Sequence, residues 1–367
     1  MNIKEIHIAN LTIPLCRPFI TAVRRTECVD DVVVLIETDC GKIGYGSAAS
    51  TPAITGDNTK SIITAIKNAL GPPLIGRNIA EFNLLLQMTD QAIEGNSSAK
   101  AAIDIALHDL FAQYCGLPLY RLLGGNTNCI DSCITISVKE IDEMVSDAVD
   151  LIQRGHKTLK IKLGLDPVDD IKRARTIRQV VGNDVTLLVD ANQGWSYKDA
   201  LKVIAAFKKE NLNISLVEQP VNARNLPDLK AISEQVDCSI IADEACFSPE
   251  DALNIAMINA CDGVNIKLMK SGGIEKAQAI YHIAQAAKMQ IMVGCMLESP
   301  IGVAAIASFA LSKPDISYAD LDPIFLIRDN YILGGAQPAG NKIILADKPG
   351  LGIESITQGL NRIGVIR

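Results

Sequence analysis

A strand-like apolar segment recurs eight times along the chain, and this repeat restricts the possible folds more than any other feature. The segments are centred near Thr135, Ile161, Val189, Val217, Ala242, Ile266, Val293 and Ala319. Successive centres are 24 to 28 residues apart, which is the length of one strand, one helix and two short loops. The repeat therefore predicts an α/β fold, a (β/α)8 barrel or its (β/α)7β variant, over residues 126–329.

The segments between the repeats carry helix start and stop signals. Asp166 and Pro167 are typical of an N-cap followed by the first helical residue, and Gly182 supplies a stop. Ser196 is placed to cap the next helix, and Ser248 begins a sequence similar to a capping box. These signals favour helices between the strands, as a barrel requires.

The residues on either side of the repeat have a different pattern. Residues 1–50 alternate apolar and polar residues and predict a β-meander, with a turn at Gly41. Residues 58–123 are helical in pattern, most clearly in a helix that ends at Gly116. We therefore predict an α+β capping domain over residues 1–125, completed by residues 330–367 folding back on it.

Composition excludes several classes of partner. Apolar residues make up 48% of the chain, the net charge is −7, and no basic cluster suggests nucleic-acid binding. We find neither a signal peptide nor an apolar run of about 20 residues, so we expect no membrane partner. The ten scattered cysteines are interpreted as reduced, buried thiols of a cytoplasmic protein. We also expect the chain to form a homo-oligomer.

Charged residues stand at the predicted carboxyl ends of the repeated strands. They are Lys160 and Lys162 on the second strand, Asp190 on the third, Glu218 on the fourth, Asp243 with Glu244 on the fifth, Lys267 on the sixth, and Asp320 and Asp322 on the eighth. In a barrel of this type the carboxyl ends of the strands surround the active site. We therefore expect these side chains to meet in one pocket.

Three of these residues are carboxylates on successive units. Brought together, Asp190, Glu218 and Asp243 would repel one another unless a cation joined them. A hard divalent ion with oxygen ligands, Mg²⁺ first, fits this set. Taken alone, each residue has a plainer role: Asp190 could cap a helix, and Glu218 could be a loop charge.

The lysines suggest proton transfer at carbon. Lys160 and Lys162 belong to the second strand and Lys267 to the sixth, which lies across an eight-stranded ring. Lys267 could equally face outward, and a lone Lys-x-Lys is usually a solvated surface. Placed around a metal, however, opposed amines can remove and return a proton next to a carboxylate, whose developing charge the metal stabilises. The cationic Lys160 would favour the neutral form of Lys162, which a base needs.

Six motifs occur in order at barrel spacing: KIKLG, DANQGW, VEQP, ADEA, NIKLMKSGGI and GCMLESPIG. Together they resemble the enolase superfamily, and within it the muconate-lactonizing subgroup. The resemblance implies one Mg²⁺ per subunit on Asp190, Glu218 and Asp243, with Lys162 and Lys267 as the acid–base pair. The chain lacks the histidine that the mandelate racemase subgroup uses.

Within that subgroup, the sequence DLD on the eighth strand resembles the dipeptide epimerases. Asp320 and Asp322 on one strand face would attract the ammonium group of a dipeptide, unless they cap the final loop. Arg24 matches the arginine that pairs with a glutamate side chain in the Ala-Glu members, although Arg25 leaves the register open. Further substrate contacts implied by the resemblance are Thr135, Lys160 and Cys295.

The resemblance thus implies a Mg²⁺-dependent epimerase that inverts the α-carbon of the C-terminal residue of a dipeptide through an enediolate. L-Ala-D/L-Glu is the expected substrate, and recycling of cell-wall peptides is the expected role. The alternatives are another dipeptide specificity, a muconate-type cycloisomerase, or a catalytically silent ligand-binding barrel. The sequence KSGGI could also form a phosphate-binding turn, although a close strand-to-helix turn is the simpler interpretation.

Overall fold

The computed structural model describes residues 1–21 and 25–367. Its N-terminal part is an antiparallel sheet packed against helices. The strands are β1 (Ile3–Ile20), β2 (Arg25–Thr38) and β3 (Ile43–Ala49), and the helices are α1 (Thr59–Ala65), α2 (Phe82–Gln91), α3 (Ser97–Cys115) and α4 (Leu119–Leu122), with short turns of helix at Ile66–Leu70, Pro72–Leu74 and Ile79–Glu81. The predicted meander is confirmed, with Gly41 in the turn at a φ of 78°.

Eight parallel strands follow and form a nearly closed barrel. They are β5 (Ile134–Ile136), β6 (Thr158–Lys162), β7 (Thr186–Asp190), β8 (Ile214–Glu218), β9 (Ser239–Ala242), β10 (Gly263–Ile266), β11 (Gln290–Gly294) and β12 (Ile316–Asp320). The first and last strands meet where the amide of Cys133 donates to the carbonyl oxygen of Ala319 at 2.8 Å. Every predicted strand centre lies within one of these strands, so the predicted barrel is confirmed.

Helices connect the strands around the outside of the barrel. They are α5 (Ile141–Gln153), α6 (Pro167–Val181), α7 (Tyr197–Lys209), α8 (Leu226–Ser233), α9 (Pro249–Ile258), α10 (Leu268–Ser271), α11 (Ile274–Ala286), α12 (Pro300–Leu311) and α13 (Pro323–Leu326). The last of these has four residues, which corresponds to the (β/α)7β form. The predicted caps are confirmed: Asp166, Ser196 and Ser248 each accept hydrogen bonds from the first turn of their helix.

Short strands complete the chain. They are β4 (Cys129–Asp131) before the barrel, and β13 (Ile332–Gly334), β14 (Ala336–Ala339), β15 (Lys342–Leu345), β16 (Ile353–Ile356) and β17 (Leu360–Ile366) after it. Strand β17 pairs antiparallel with β1, so the N-terminal sheet has the order β17-β1-β2-β3. Among the described residues, no helix is both long and apolar enough to span a membrane.

The strand register places charge at the carboxyl end of the barrel and apolar side chains deeper inside it. Leu188, Leu216, Ile241 and Met292 pack together within the barrel. At the carboxyl ends of the strands, the register aligns Lys162 of β6 with Asp190 of β7, and Asp190 with Glu218 of β8. These three residues therefore lie at the same height along the barrel. The interpretation of the cysteines is partly wrong: all ten are free, but Cys16, Cys40 and Cys115 are exposed.

Candidate active site

A cavity lies at the carboxyl ends of the barrel strands. From the barrel it is lined by Thr135, Lys162, Asn192, Asp243, Glu244, Lys267, Cys295, Met296, Leu297, Asp320, Asp322 and Pro323. Phe19, Thr21 and Ile54 of the N-terminal part complete the lining. The N-terminal part therefore contributes to the wall of the barrel's cavity.

The three predicted metal-ligand carboxylates come together at the same end of the barrel as this cavity, and one of them, Asp243, lines it. Asp190 ends β7, Glu218 ends β8, and Asp243 directly follows β9. Each offers an oxygen within 4.8 Å of the others, and the three residues are 0 to 1% exposed. Buried acids at this spacing need positive charge, and three carboxylate oxygens suit Mg²⁺. The residues present thus fit a single divalent cation.

Two lysines approach the carboxylates from opposite sides. Lys162 Nζ on β6 lies 2.5 Å from Asp190 Oδ2. Lys267 directly follows β10 in the sequence, and its Nζ lies 2.6 Å from Asp243 Oδ2. Since β6 and β10 are four strands apart in a ring of eight, the two amines face each other across the cavity.

Lys160 lies deeper in the barrel than Lys162 and is 0% exposed. Its Nζ is 2.6 Å from Glu218 Oε2, 2.6 Å from Asp320 Oδ2 and 3.1 Å from Asp190 Oδ2. Burial alone would lower the pKa of Lys160, but these three carboxylates raise it well above its usual value. Lys160 is therefore a buried ammonium shared among three strands.

The carboxylates differ in their electrostatic surroundings. Burial tends to raise the pKa of Asp190, yet Lys162 and Lys160 bring it down to about 2. Burial and the charge of Asp190 raise the pKa of Glu218 to about 7. Against the effect of burial, Lys267 and Lys270 hold the pKa of Asp243 well below its usual value. Two of the three acids are thus held as anions by lysine ammonium groups.

The two aspartates of the DLD sequence both reach the cavity, although in different settings. Asp320 is the last residue of β12, whereas Asp322 lies beyond the strand, immediately before α13, and not on the strand face as predicted. Asp322 Oδ2 accepts a hydrogen bond from Thr135 N at 2.8 Å. Burial and the neighbouring charge of Asp320 raise the pKa of Asp322 to about 6.

Two residues of the site, Lys270 and Asn265, were missed by the sequence analysis, and a third, Glu244, was found at a strand end but given no role. Lys270 Nζ donates to Asp243 Oδ1 at 2.6 Å, to the Asp243 carbonyl at 2.5 Å and to the Asn265 carbonyl at 2.9 Å. Asn265 in turn donates to Glu218 Oε1 at 2.9 Å. Glu244 is buried in the cavity wall, where burial and the charge of Asp243 raise its pKa to about 8. The three-residue spacing of Lys267 and Lys270, one helical turn, was the available signal for Lys270.

The remaining predicted contacts have mixed outcomes. Arg24 lies outside the described residues, while Arg25 is exposed and its Nη2 lies 3.2 Å from Glu27 Oε1. Thr135 and Cys295 line the cavity. The phosphate-binding turn is excluded, because Asp104 already fills the N-terminus of α11: its Oδ1 accepts from Ile274 N at 2.6 Å.

Comparison with known proteins gives matches over almost the whole chain. Residues 3–124 match the mandelate racemase / muconate lactonizing enzyme N-terminal domain, and residues 143–358 match the enolase C-terminal domain-like family. The L-Ala-D/L-Glu epimerase of Clostridium acetobutylicum is 49% identical over 97% of this chain and 99% of that protein. The hydrophobic dipeptide epimerase of Enterococcus faecalis is 39% identical over 96% of this chain and 99% of that protein.

Solved structures give the same result. The substrate-liganded L-Ala-D/L-Glu epimerase of Bacillus subtilis superposes with a TM-score of 0.95 at 41% identity, covering 96% of this chain and 99% of that one. The dipeptide epimerase of Enterococcus faecalis, complexed with Mg and L-Leu-L-Tyr, superposes with a TM-score of 0.93 at 39% identity. That match covers 97% of this chain and 100% of that one.

Proposed function

The chain belongs to the mandelate racemase / muconate lactonizing enzyme family of the enolase superfamily, and on that premise we propose that it is a Mg²⁺-dependent dipeptide epimerase. The reaction inverts the α-carbon of the C-terminal residue. One observation carries the proposal: two lysines from opposite sides of the barrel line one cavity, and each contacts a cluster of three buried carboxylates.

Asp190, Glu218 and Asp243 would hold the metal ion. When bound there, Mg²⁺ supplies positive charge at the carboxylate of the substrate, where negative charge develops as the α-proton leaves. The protein holds these ligands in place with its own groups: Asn265 binds one oxygen of Glu218 and Lys270 binds one oxygen of Asp243. Such outer contacts orient metal ligands and are costly to remove.

Lys162 and Lys267 would move the proton. One lysine removes the α-proton from one face, and the opposite ammonium returns a proton to the other face, which inverts the centre. Although burial alone lowers the pKa of Lys267, the carboxylates of Asp243 and Glu218 raise it above its usual value. In the free site Lys267 is therefore held as an ammonium, the form that donates a proton.

The DLD aspartates support a substrate with a free amino terminus. Asp320 and Asp322 place two carboxyl groups in the cavity wall, and a dipeptide ammonium is the complementary charge. Muconate carries no such cation, which favours a dipeptide over a cycloisomerase substrate. We propose L-Ala-D/L-Glu as the substrate pair because the relatives of 49% and 41% identity carry that activity in their names.

The first experiment is incubation with L-Ala-L-Glu and Mg²⁺ in heavy water, followed by proton NMR. We expect loss of the glutamate α-proton signal together with formation of the L-Ala-D-Glu epimer. EDTA should abolish both changes. Absence of α-deuterium in the presence of Mg²⁺ would refute the proposed reaction, and dipeptide binding without exchange would indicate a silent binding protein.

The second experiment tests the selectivity for glutamate. Arg24→Ala should raise the KM for L-Ala-L-Glu relative to dipeptides with neutral C-terminal residues, because the guanidinium would no longer pair with the side-chain carboxylate. Arg25→Ala is the matched control, since this neighbouring arginine is exposed and lies next to Glu27. Equal effects of the two substitutions on the KM would refute the assignment of Arg24 as the residue that pairs with the glutamate side chain.

We further propose that the protein acts in the cytoplasm in recycling of cell-wall peptides, as a homo-oligomer. The support for the role in recycling is the L-Ala-D/L-Glu epimerase activity named for its relatives. Light scattering coupled to size-exclusion chromatography would measure the mass of the particle. A mass of 39.4 kDa, that of a single chain, would refute the oligomer.

A further inference from the structure

The ammonium of Lys160 links two parts of the site that have separate roles in the proposed function. Asp190 and Glu218, at 3.1 Å and 2.6 Å, are expected metal ligands. Asp320, at 2.6 Å, lies on the last barrel strand and belongs to the expected ammonium site. Because Lys160 is 0% exposed, water does not screen these contacts.

Asp320 and Asp322 are not equivalent, although both line the cavity. Both oxygens of Asp320 are engaged by the protein: Oδ2 by Lys160 and Oδ1 by the thiol of Cys133 at 3.3 Å. Asp322 instead accepts a hydrogen bond from Thr135. Among the contacts of the described residues, Lys160 has an ion pair with Asp320 and none with Asp322.

We propose that Asp320 is a positioning residue for the metal centre, acting through Lys160. The negative charge of Asp320 balances part of the positive charge of the Lys160 ammonium. Glu218 and Asp190 therefore pair less strongly with that ammonium and remain available to a divalent cation. Without the Asp320 charge, the same ammonium would pair fully with Glu218 and Asp190 and compete with the metal. This inference rests on the proposed function only in assigning Mg²⁺ to the three carboxylates.

The test is calorimetric titration of Mg²⁺ into substrate-free protein. Asp320→Asn, which keeps the shape and removes the charge, should raise the Mg²⁺ dissociation constant about tenfold or more, as expected for a residue that orients a metal ligand. Asp322→Asn is the matched control: it removes an equal charge two residues away and should change the constant less than threefold. Equal effects of the two variants would overturn the proposal, because they would show a general loss of negative charge.

A double-mutant cycle tests whether the effect passes through Lys160. In a Lys160→Met background, Asp320→Asn should change the Mg²⁺ dissociation constant less than twofold. A tenfold effect that persists in that background would refute the proposed route. Asp320→Glu, which restores the charge, should bring the constant back to within threefold of the wild-type value.

A measurement on the wild-type protein covers the case in which Asp320→Asn does not fold. Alaninamide, an ammonium compound without a carboxylate, should raise the Mg²⁺ dissociation constant at least threefold, because it competes with Lys160 for Asp320. No change at saturating alaninamide would overturn the proposal. Calorimetry needs no turnover, so the two proposals can fail separately. If the wild type binds Mg²⁺ but does not exchange α-protons, the proposed reaction is refuted and the role of Asp320 is not. If the wild type does not bind Mg²⁺, both are refuted.

Discussion

Replacing Glu298 by glutamine should stabilise the protein at alkaline pH and change its stability through proton linkage by no more than about 1 kcal/mol near pH 5. Glu298 follows the cavity residues Met296 and Leu297, and is 1% exposed. Its Oε1 accepts a hydrogen bond from Met296 N at 2.8 Å. Burial, and after it the charge of Asp31 on β2, raise the pKa of Glu298 to about 8.

The size of the effect follows from proton linkage. A carboxyl whose folded-state pKa of about 8 exceeds its unfolded value of 4.5 binds more protons in the folded state between those two pH values. Stability therefore falls as pH rises through this window, by at most about 1.4 kcal/mol per pH unit. The loss approaches about 5 kcal/mol by pH 9. Because glutamine does not ionise, Glu298→Gln should be about 2–5 kcal/mol more stable than wild type at pH 9.

The assay is urea unfolding followed by circular dichroism at pH 5 and pH 9, in EDTA so that metal binding does not contribute. Glu94→Gln, at an exposed position, is the control and should show the same small difference at both pH values. If Glu298→Gln differs from wild type equally at pH 5 and pH 9, then the folded protein does not hold Glu298 protonated. The linkage argument would then be wrong.

Three further predictions concern catalysis and packing. Lys162→Ala and Lys267→Ala should each slow epimerisation about 10²- to 10⁴-fold. Each variant should still exchange deuterium into one epimer, the one whose α-proton faces the remaining lysine. If NMR shows no exchange of either epimer in both variants, two-base transfer is contradicted. Gly194→Ala should lower the free energy of unfolding, measured by urea titration, by about 1–3 kcal/mol, because the new Cβ would lie 2.1 Å from a backbone carbonyl oxygen. The control is Gly364→Ala, where a Cβ would meet open space, and it should change the free energy of unfolding by less than about 0.5 kcal/mol. Asp104→Ala should cost about 1–2 kcal/mol, because it removes the acceptor for the first amide of α11; an unchanged urea midpoint would show that this contact contributes nothing.

The sequence predicted those features that are encoded within a few consecutive residues. Strand alternation and caps such as Ser248 are local, which explains why the eight strands and the predicted helix starts were found. Asp190, Glu218 and Asp243 were also found from local position, since each ends or directly follows a strand. Whether these residues perform the assigned chemistry remains a prediction.

Features that join distant segments could not be predicted in this way. Asp31 Oδ2 accepts from Ser299 N at 2.8 Å across 268 residues of sequence, and no local pattern indicates such a partner. The same applies to Asp104 at the N-terminus of α11. The sequence placed Lys160 beside Lys162 as a substrate contact, but its fully buried position and its pairing with Asp320 depend on how the barrel closes.

The pairing of β17 with β1 has a consequence for how the polypeptide acquires its fold. Arg367 Nε lies 2.8 Å from Glu5 Oε2, 362 residues earlier in the sequence. During synthesis from the N-terminus, β1 emerges from the ribosome long before the strand that covers its outer edge. Until then this edge is a template for pairing with other chains, and bringing such distant segments together is slow. The nascent chain should therefore be most prone to aggregation, and most dependent on chaperones, while β1 awaits its final neighbour.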